Sequence, residues 1–171
     1  MDRDRHAGGP AAWGDLARSL GGSFIARARG LVSPELVLLT PENEIFGRLL
    51  AGADGSARIR AGDLEAEIQP SRGSTSTMTT GGGETLTAEP APPALRLRSG
   101  GRTYEARVSL LRNRATALSP EGIEAVRLSG GLTNRRYRAT FDPEDPASLP
   151  IAIFLLHHTF GLRRRAYRAS P

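Results

Sequence analysis

Near the C-terminus six apolar residues stand in a row: Ile151, Ala152, Ile153, Phe154, Leu155 and Leu156. They follow the turn Asp142-Pro143-Glu144-Asp145-Pro146 and Ser148, a side chain suited to cap a helix by accepting from a first-turn N–H. Pro150 falls in the first turn, where its missing N–H costs little. The pattern predicts a helix over 149–160, with Gly161 as its stop. A surface helix carries an apolar stripe, whereas a helix apolar all round is buried on every side or lies in lipid. A membrane span needs about 20 apolar residues, and this run is far shorter. The rest of the chain is therefore expected to enclose this helix.

From Leu36 to Asp142 the chain reads as short strands. Ala57, Ile59 and Ala61 alternate with Arg58 and Arg60; Leu64, Ala66 and Ile68 with Glu65 and Glu67; Leu95 and Leu97 with Arg96 and Arg98. Tyr104, Ala106, Val108 and Leu110 alternate with Glu105, Arg107 and Ser109, and Tyr137, Ala139 and Phe141 with Arg136, Arg138 and Thr140. Period two gives each strand one dry and one wet face. Glycine-bearing turns separate the strands, as tight hairpins require. Ile123–Leu128 breaks the alternation, which predicts a bulge. Ser71–Thr80 reads either as a polar edge strand or as a loop. The fold class is mostly β: a closed antiparallel barrel wrapped around a buried C-terminal helix.

The first 33 residues read differently, as an N-terminal arm ahead of a barrel domain over 34–171. Met1–Pro10 is polar and is expected to be disordered. Ala11–Leu20 predicts a short helix with Trp13, Leu16, Ala17 and Leu20 on one face, ended by Gly21-Gly22. No export signal or spanning segment is legible, so the expected location is cytoplasmic, with peripheral membrane attachment as its extension.

Composition removes whole classes of chemistry. The chain has no cysteine, which excludes disulfides, thiol catalysis and thiolate metal sites. All 23 basic residues are arginine, which excludes lysine Schiff bases and the Gly-Lys-Ser/Thr phosphate loop. Codon bias alone explains such usage. Three histidines remain, His6, His157 and His158, and the last two point about 100° apart on a helix, so they do not chelate one ion together. Their expected role is structural hydrogen bonding. Asp142, Glu144 and Asp145 suit a turn and a helix dipole, with calcium as the alternative. No catalytic residue, metal site or cofactor is predicted, and no enzyme is expected.

The net charge of +5 favours polyanionic partners. Arg163, Arg164, Arg165 and Arg168 follow the buried helix, and Arg136 and Arg138 lie on the strand leading to it. If they meet, these arginines form an anion site, since guanidinium forks match phosphate oxygens. Arg96, Arg98 and Arg107 form a further basic face, relieved by Glu65, Glu67 and Glu105. Aromatics are few and no helix suits a major groove, so nucleic acid is not the expected partner. The expected function is a non-enzymatic binding module for anionic lipid headgroups or phosphorylated ligands. A protein-interaction scaffold using the N-terminal segment and the barrel surface is the alternative, and an apolar patch around Trp13 and Phe24 would favour it.

The order Tyr137–Phe141, the acidic proline turn 142–146 and the apolar helix opened by Ser148-Leu149-Pro150 resembles the tubby C-terminal-like barrel superfamily, which includes LURP-one-related proteins and phospholipid scramblases. The resemblance covers about 36–167. It implies a barrel around a central helix and, from the tubby branch, binding of phosphoinositides through basic residues; many bacterial members have no established activity. The tubby contacts include lysines, so they do not transfer onto this lysine-free chain. The scramblases' acidic calcium segment is similar in position to Asp142, Glu144 and Asp145.

Overall fold

The computed structural model describes residues 9–30, 34–81 and 83–169. Helix α1 spans Pro10–Ser19. Twelve strands follow: β1 Ser23–Arg29, β2 Glu35–Leu39, β3 Ile45–Ala51, β4 Ala57–Ala61, β5 Leu64–Pro70, β6 Ser76–Thr80, β7 Gly83–Ala91, β8 Ala94–Ser99, β9 Arg102–Ser109, β10 Arg114–Leu118, β11 Glu124–Gly130 and β12 Arg136–Phe141. Helix α2, Ser148–Ala169, completes the chain. Each strand pairs antiparallel with its sequence neighbours and β1 closes onto β12, giving one closed barrel.

The alternation sets which side faces in. Ala57, Ile59 and Ala61 of β4 and Leu64, Ala66 and Ile68 of β5 are buried. Outside, the register sets Arg58 opposite Glu67 and Arg60 opposite Glu65, at 3.2 and 2.7 Å. The expected bulge lies in β11, where Ala117 pairs with Val126 but Leu118 pairs with Glu124, leaving Ala125 as the extra residue. Of the two readings of 71–80, the strand is the one found: Arg72–Ser74 makes a short 3-10 turn, and β6 pairs with β5 and β7 and buries Met78. It is no edge, because a closed barrel has none.

A barrel of this many strands leaves a lumen that wall side chains do not fill. Helix α2 fills it. Ile151, Ala152, Ile153, Leu155 and Leu156 have no exposed surface, and Phe154 has almost none. The helix packs mainly against β11, β12 and β10, where inward Ala115, Ala117 and Ala139 leave room for it. Among the described residues no helix is long and apolar enough to cross a membrane.

The structure moves three sequence expectations. The arm does not extend to residue 33, because β1 hydrogen-bonds to β2 and β12 as a stave of the barrel. The expected disorder of Met1–Pro10 concerns residues of which 1–8 lie outside the described set, while Pro10 begins α1. The central helix does not stop at Gly161 but continues to Ala169. Gly161 keeps right-handed helical backbone there, and glycine weakens a helix by only about 1 kcal/mol without ending it. Third, the Ser148 hydroxyl donates to the carbonyls of Asp142 and Asp145, instead of accepting. Next to the helix start the side-chain acceptor is Asp145, whose Oδ1 takes the Ala147 N–H at 3.0 Å.

Because consecutive strands are antiparallel, successive turns alternate between the two barrel ends. At the covered end α2 begins and α1 packs beside it, with Trp13, Ala17 and Leu20 buried. At the open end α2 emerges between the β3–β4, β5–β6, β9–β10 and β11–β12 turns.

Candidate anion site at the open end

Two features hold the emerging helix. Asn134 Nδ2 donates to the carbonyl of Phe160 at 3.4 Å, and Tyr137 hydrogen-bonds Asn134. Arg163 then donates to the carbonyls of Leu110 at 2.9 Å and Leu132 at 3.1 Å. Gly130 is required beneath this arrangement: a Cβ there would stand 2.0 Å from Asn113 Nδ2 and 2.6 Å from the Tyr137 ring.

On the opposite side of α2 a cavity of about 430 Å³ opens against the β3–β4 and β5–β6 turns. The helix contributes Phe154, His157, His158, Gly161, Arg164, Arg165 and Arg168, a spacing that keeps one helical face toward the cavity. The turns contribute Asp54, Gly55, Ser74 and Ser76.

His157 is buried, and its Nε2 lies 2.9 Å from the Gly55 carbonyl. A carbonyl only accepts, so Nε2 carries the proton and donates. That leaves Nδ1 as a buried acceptor with no partner. Burial lowers the His157 pKa, the Gly55 hydrogen bond opposes that shift, and Arg165 adds to it. His158 stacks on Phe154, with ring centres 5.8 Å apart. Burial, aided by His157 and Arg165, takes its pKa down from 6.5 to about 4. Both rings are therefore neutral at pH 7, and the positive charge of the mouth comes from arginine.

Arg164, Arg165 and Arg168 make no ion pair with any described carboxylate. Burial first, and then the neighbouring charge of Arg168, lower the Arg164 pKa. Asp54, the carboxylate in the lining, already accepts from Ser56. The barrel wall is different: Arg98 pairs with Glu89 and Arg107 with Glu105, so the basic face expected there is largely neutralised.

The structure divides the arginines singled out from sequence. Arg164, Arg165 and Arg168 come together at the cavity mouth. Arg163 sits on another face of the same helix and acts as a clamp, its guanidinium also 5.4 Å over the Tyr167 ring. Arg136 and Arg138 lie elsewhere, beside a shallow depression of the outer wall lined by Ile25, Ser129 and Gly131. In the acidic turn, Asp142 Oδ1 accepts from the Glu144 N–H, and Asp145 Oδ2 accepts from the buried Tyr104 hydroxyl at 2.7 Å. Burial first, then that hydrogen bond, raises the Tyr104 pKa. Among the described residues no group of three ligating side chains is placed to hold a metal ion. A helix that stops at Gly161 hides the alignment of the later arginines with His157. Continued past it, the 3.6-residue period puts His157, Arg164 and Arg168 on one face.

No family model matches the chain, and no curated protein matches its sequence. The fold does match a solved structure, the X-ray structure of a protein from Arabidopsis thaliana, with a TM-score of 0.59 at 10% identity over 80% of this chain and 91% of that one. At that identity the likeness is one of fold alone.

Proposed function

We propose that this protein is a non-enzymatic binding module for an anionic, phosphate-bearing ligand, taken at the open end of the barrel by Arg164, Arg165 and Arg168. The observation that carries the reading is the set of three arginines, unpaired with any described carboxylate, on one helical face at the mouth of a cavity. Guanidinium groups bind phosphate oxygens in forked pairs. Membership of the tubby C-terminal-like superfamily, in its LURP-one-related or scramblase branches, belongs to the same proposal, with the barrel-and-helix architecture as its support. Trp13 and Phe24 form no exposed apolar patch, because both are buried in the core.

The test is titration with a soluble inositol polyphosphate across a salt series, for the wild type and for a variant with Arg164, Arg165 and Arg168 changed to Gln. Basic residues near an anionic surface contribute about 1 kcal/mol each, so the triple variant should bind roughly two orders of magnitude more weakly at low salt. Equal binding by both proteins would remove the site.

A further inference from the structure

Leu111 and Leu132 are almost wholly exposed, at 101% and 93%. They sit on the β9–β10 and β11–β12 turns, both at the open end, and neither turn is slack. Asn113 Nδ2 donates to the Gly131 carbonyl at 2.7 Å, and the Gly130 N–H donates to the Asn113 carbonyl at 2.7 Å. The Arg163 fork ties both turns to α2, and the Tyr167 hydroxyl donates to the Leu132 carbonyl at 3.0 Å. Two leucines are thus held out into solvent on a rigid platform, beside a tyrosine that is itself half exposed.

We propose that this platform is a membrane-docking surface: Leu111 and Leu132 insert among the acyl chains of an anionic bilayer while the surrounding arginines meet the lipid phosphates. The inference rests on the anion-binding reading and commits its phosphate to a lipid. Charge complementarity selects the occupant. Arg112 and Arg135, on the same two turns, are exposed and pair with no described carboxylate, and Arg164, Arg165 and Arg168 stand on the same end of the molecule. The apolar tips are two single leucines set among arginines, not the contiguous apolar centre of a protein–protein interface. That arrangement fits a bilayer, which sets hydrocarbon behind a layer of phosphates, with tyrosine at the boundary.

The experiment is sedimentation with vesicles of phosphatidylcholine and phosphatidylserine, against pure phosphatidylcholine. Changing both Leu111 and Leu132 to Ser should weaken binding to the anionic vesicles about a hundredfold and leave inositol-polyphosphate binding unchanged. Ile123→Ser is the control, since Ile123 is an exposed apolar side chain at the opposite end of the barrel; it should change nothing. A Leu132→Trp protein should show tryptophan fluorescence quenched by brominated acyl chains, over the background of buried Trp13. Wild-type binding by the double-serine variant, or an unquenched tryptophan, overturns the insertion and leaves the anion site standing. A wild type that binds the soluble polyphosphate but not the vesicles overturns it likewise. A protein that binds neither removes both readings.

Discussion

The two ends of this barrel are built from the same hairpins and carry opposite chemistry. Turns at the covered end present Glu42, Glu44, Asp63, Glu121, Asp142 and Glu144. The open end presents Arg72, Arg112 and Arg135 on its turns against the carboxylate Asp54, then Arg164, Arg165 and Arg168 on the emerging helix. The wall between them pairs its charges across strands. The net charge of +5 is therefore not spread evenly but set along the barrel axis. A molecule polarised in this way approaches an anionic surface open end first, because the field of separated charge steers encounter. The ends also differ in cover. Helix α1 closes one with apolar side chains, while the other keeps a cavity of mixed lining and two neutral histidines.

What the ends share is α2, and breaking it should have the largest effect. Ile153 has no exposed surface in the middle of the enclosed stretch. An aspartate there is an unpaired charge with no route to water, so Ile153→Asp should give no cooperative melting transition. A soluble Ile153→Asp protein that melts cooperatively would contradict the enclosed helix. The covered end comes next. Trp13 is buried by α1 against the core, and Trp13→Ala should cost about 3–5 kcal/mol in chemical denaturation. Arg168→Gln at the open end should change stability by less than about 0.5 kcal/mol. If the two cost the same, α1 does not close the covered end with apolar packing.

How legible were these ends beforehand? The enclosed helix was, because a short run that is apolar all round allows few other placements. The strands were, because Arg58, Arg60, Glu65 and Glu67 mark wet faces one residue out of step with dry ones. β1 was not: Ser23–Arg29 lies beyond the Gly21-Gly22 break and next to a segment read as an arm, and only barrel closure reveals its partners. The grouping of Arg136 with the helical arginines failed for a geometric reason. Neighbours across a turn share an end of the barrel but need not share a face. Arg163 likewise has the composition of a ligand-binding residue, and only the carbonyls of Leu110 and Leu132 show that it is a clamp.

Acid should separate the ends next. Burial holds the folded-state pKa of His158 near 4, below its ordinary 6.5. Between those values the unfolded chain binds a proton that the folded chain refuses, so lowering the pH favours unfolding. The loss begins as pH falls through about 6.5 and is complete below about 4, reaching up to about 3 kcal/mol from this residue. Denaturant melts from pH 7 to pH 4 should show the wild type losing more stability than His158→Gln. Parallel curves would mean that the ring is solvated and that the open end is wetter than its packing indicates.

The smallest effect concerns the residue at which the sequence reading ended α2. Gly161 lies inside the helix with right-handed backbone, and a Cβ built on it meets no atom within 4 Å. Alanine there removes conformational freedom from the unfolded chain without strain in the folded one. Gly161→Ala should therefore stabilise the protein by about 0.5–1 kcal/mol. The new methyl faces the cavity, so inositol-polyphosphate binding measured beside stability reports on the site as well. A gain in melting temperature with unchanged affinity would place the arginine trio on a continuous rigid helix. A destabilised variant would mean that α2 bends at this glycine, and that the basic segment after it is a separate element from the helix inside the barrel.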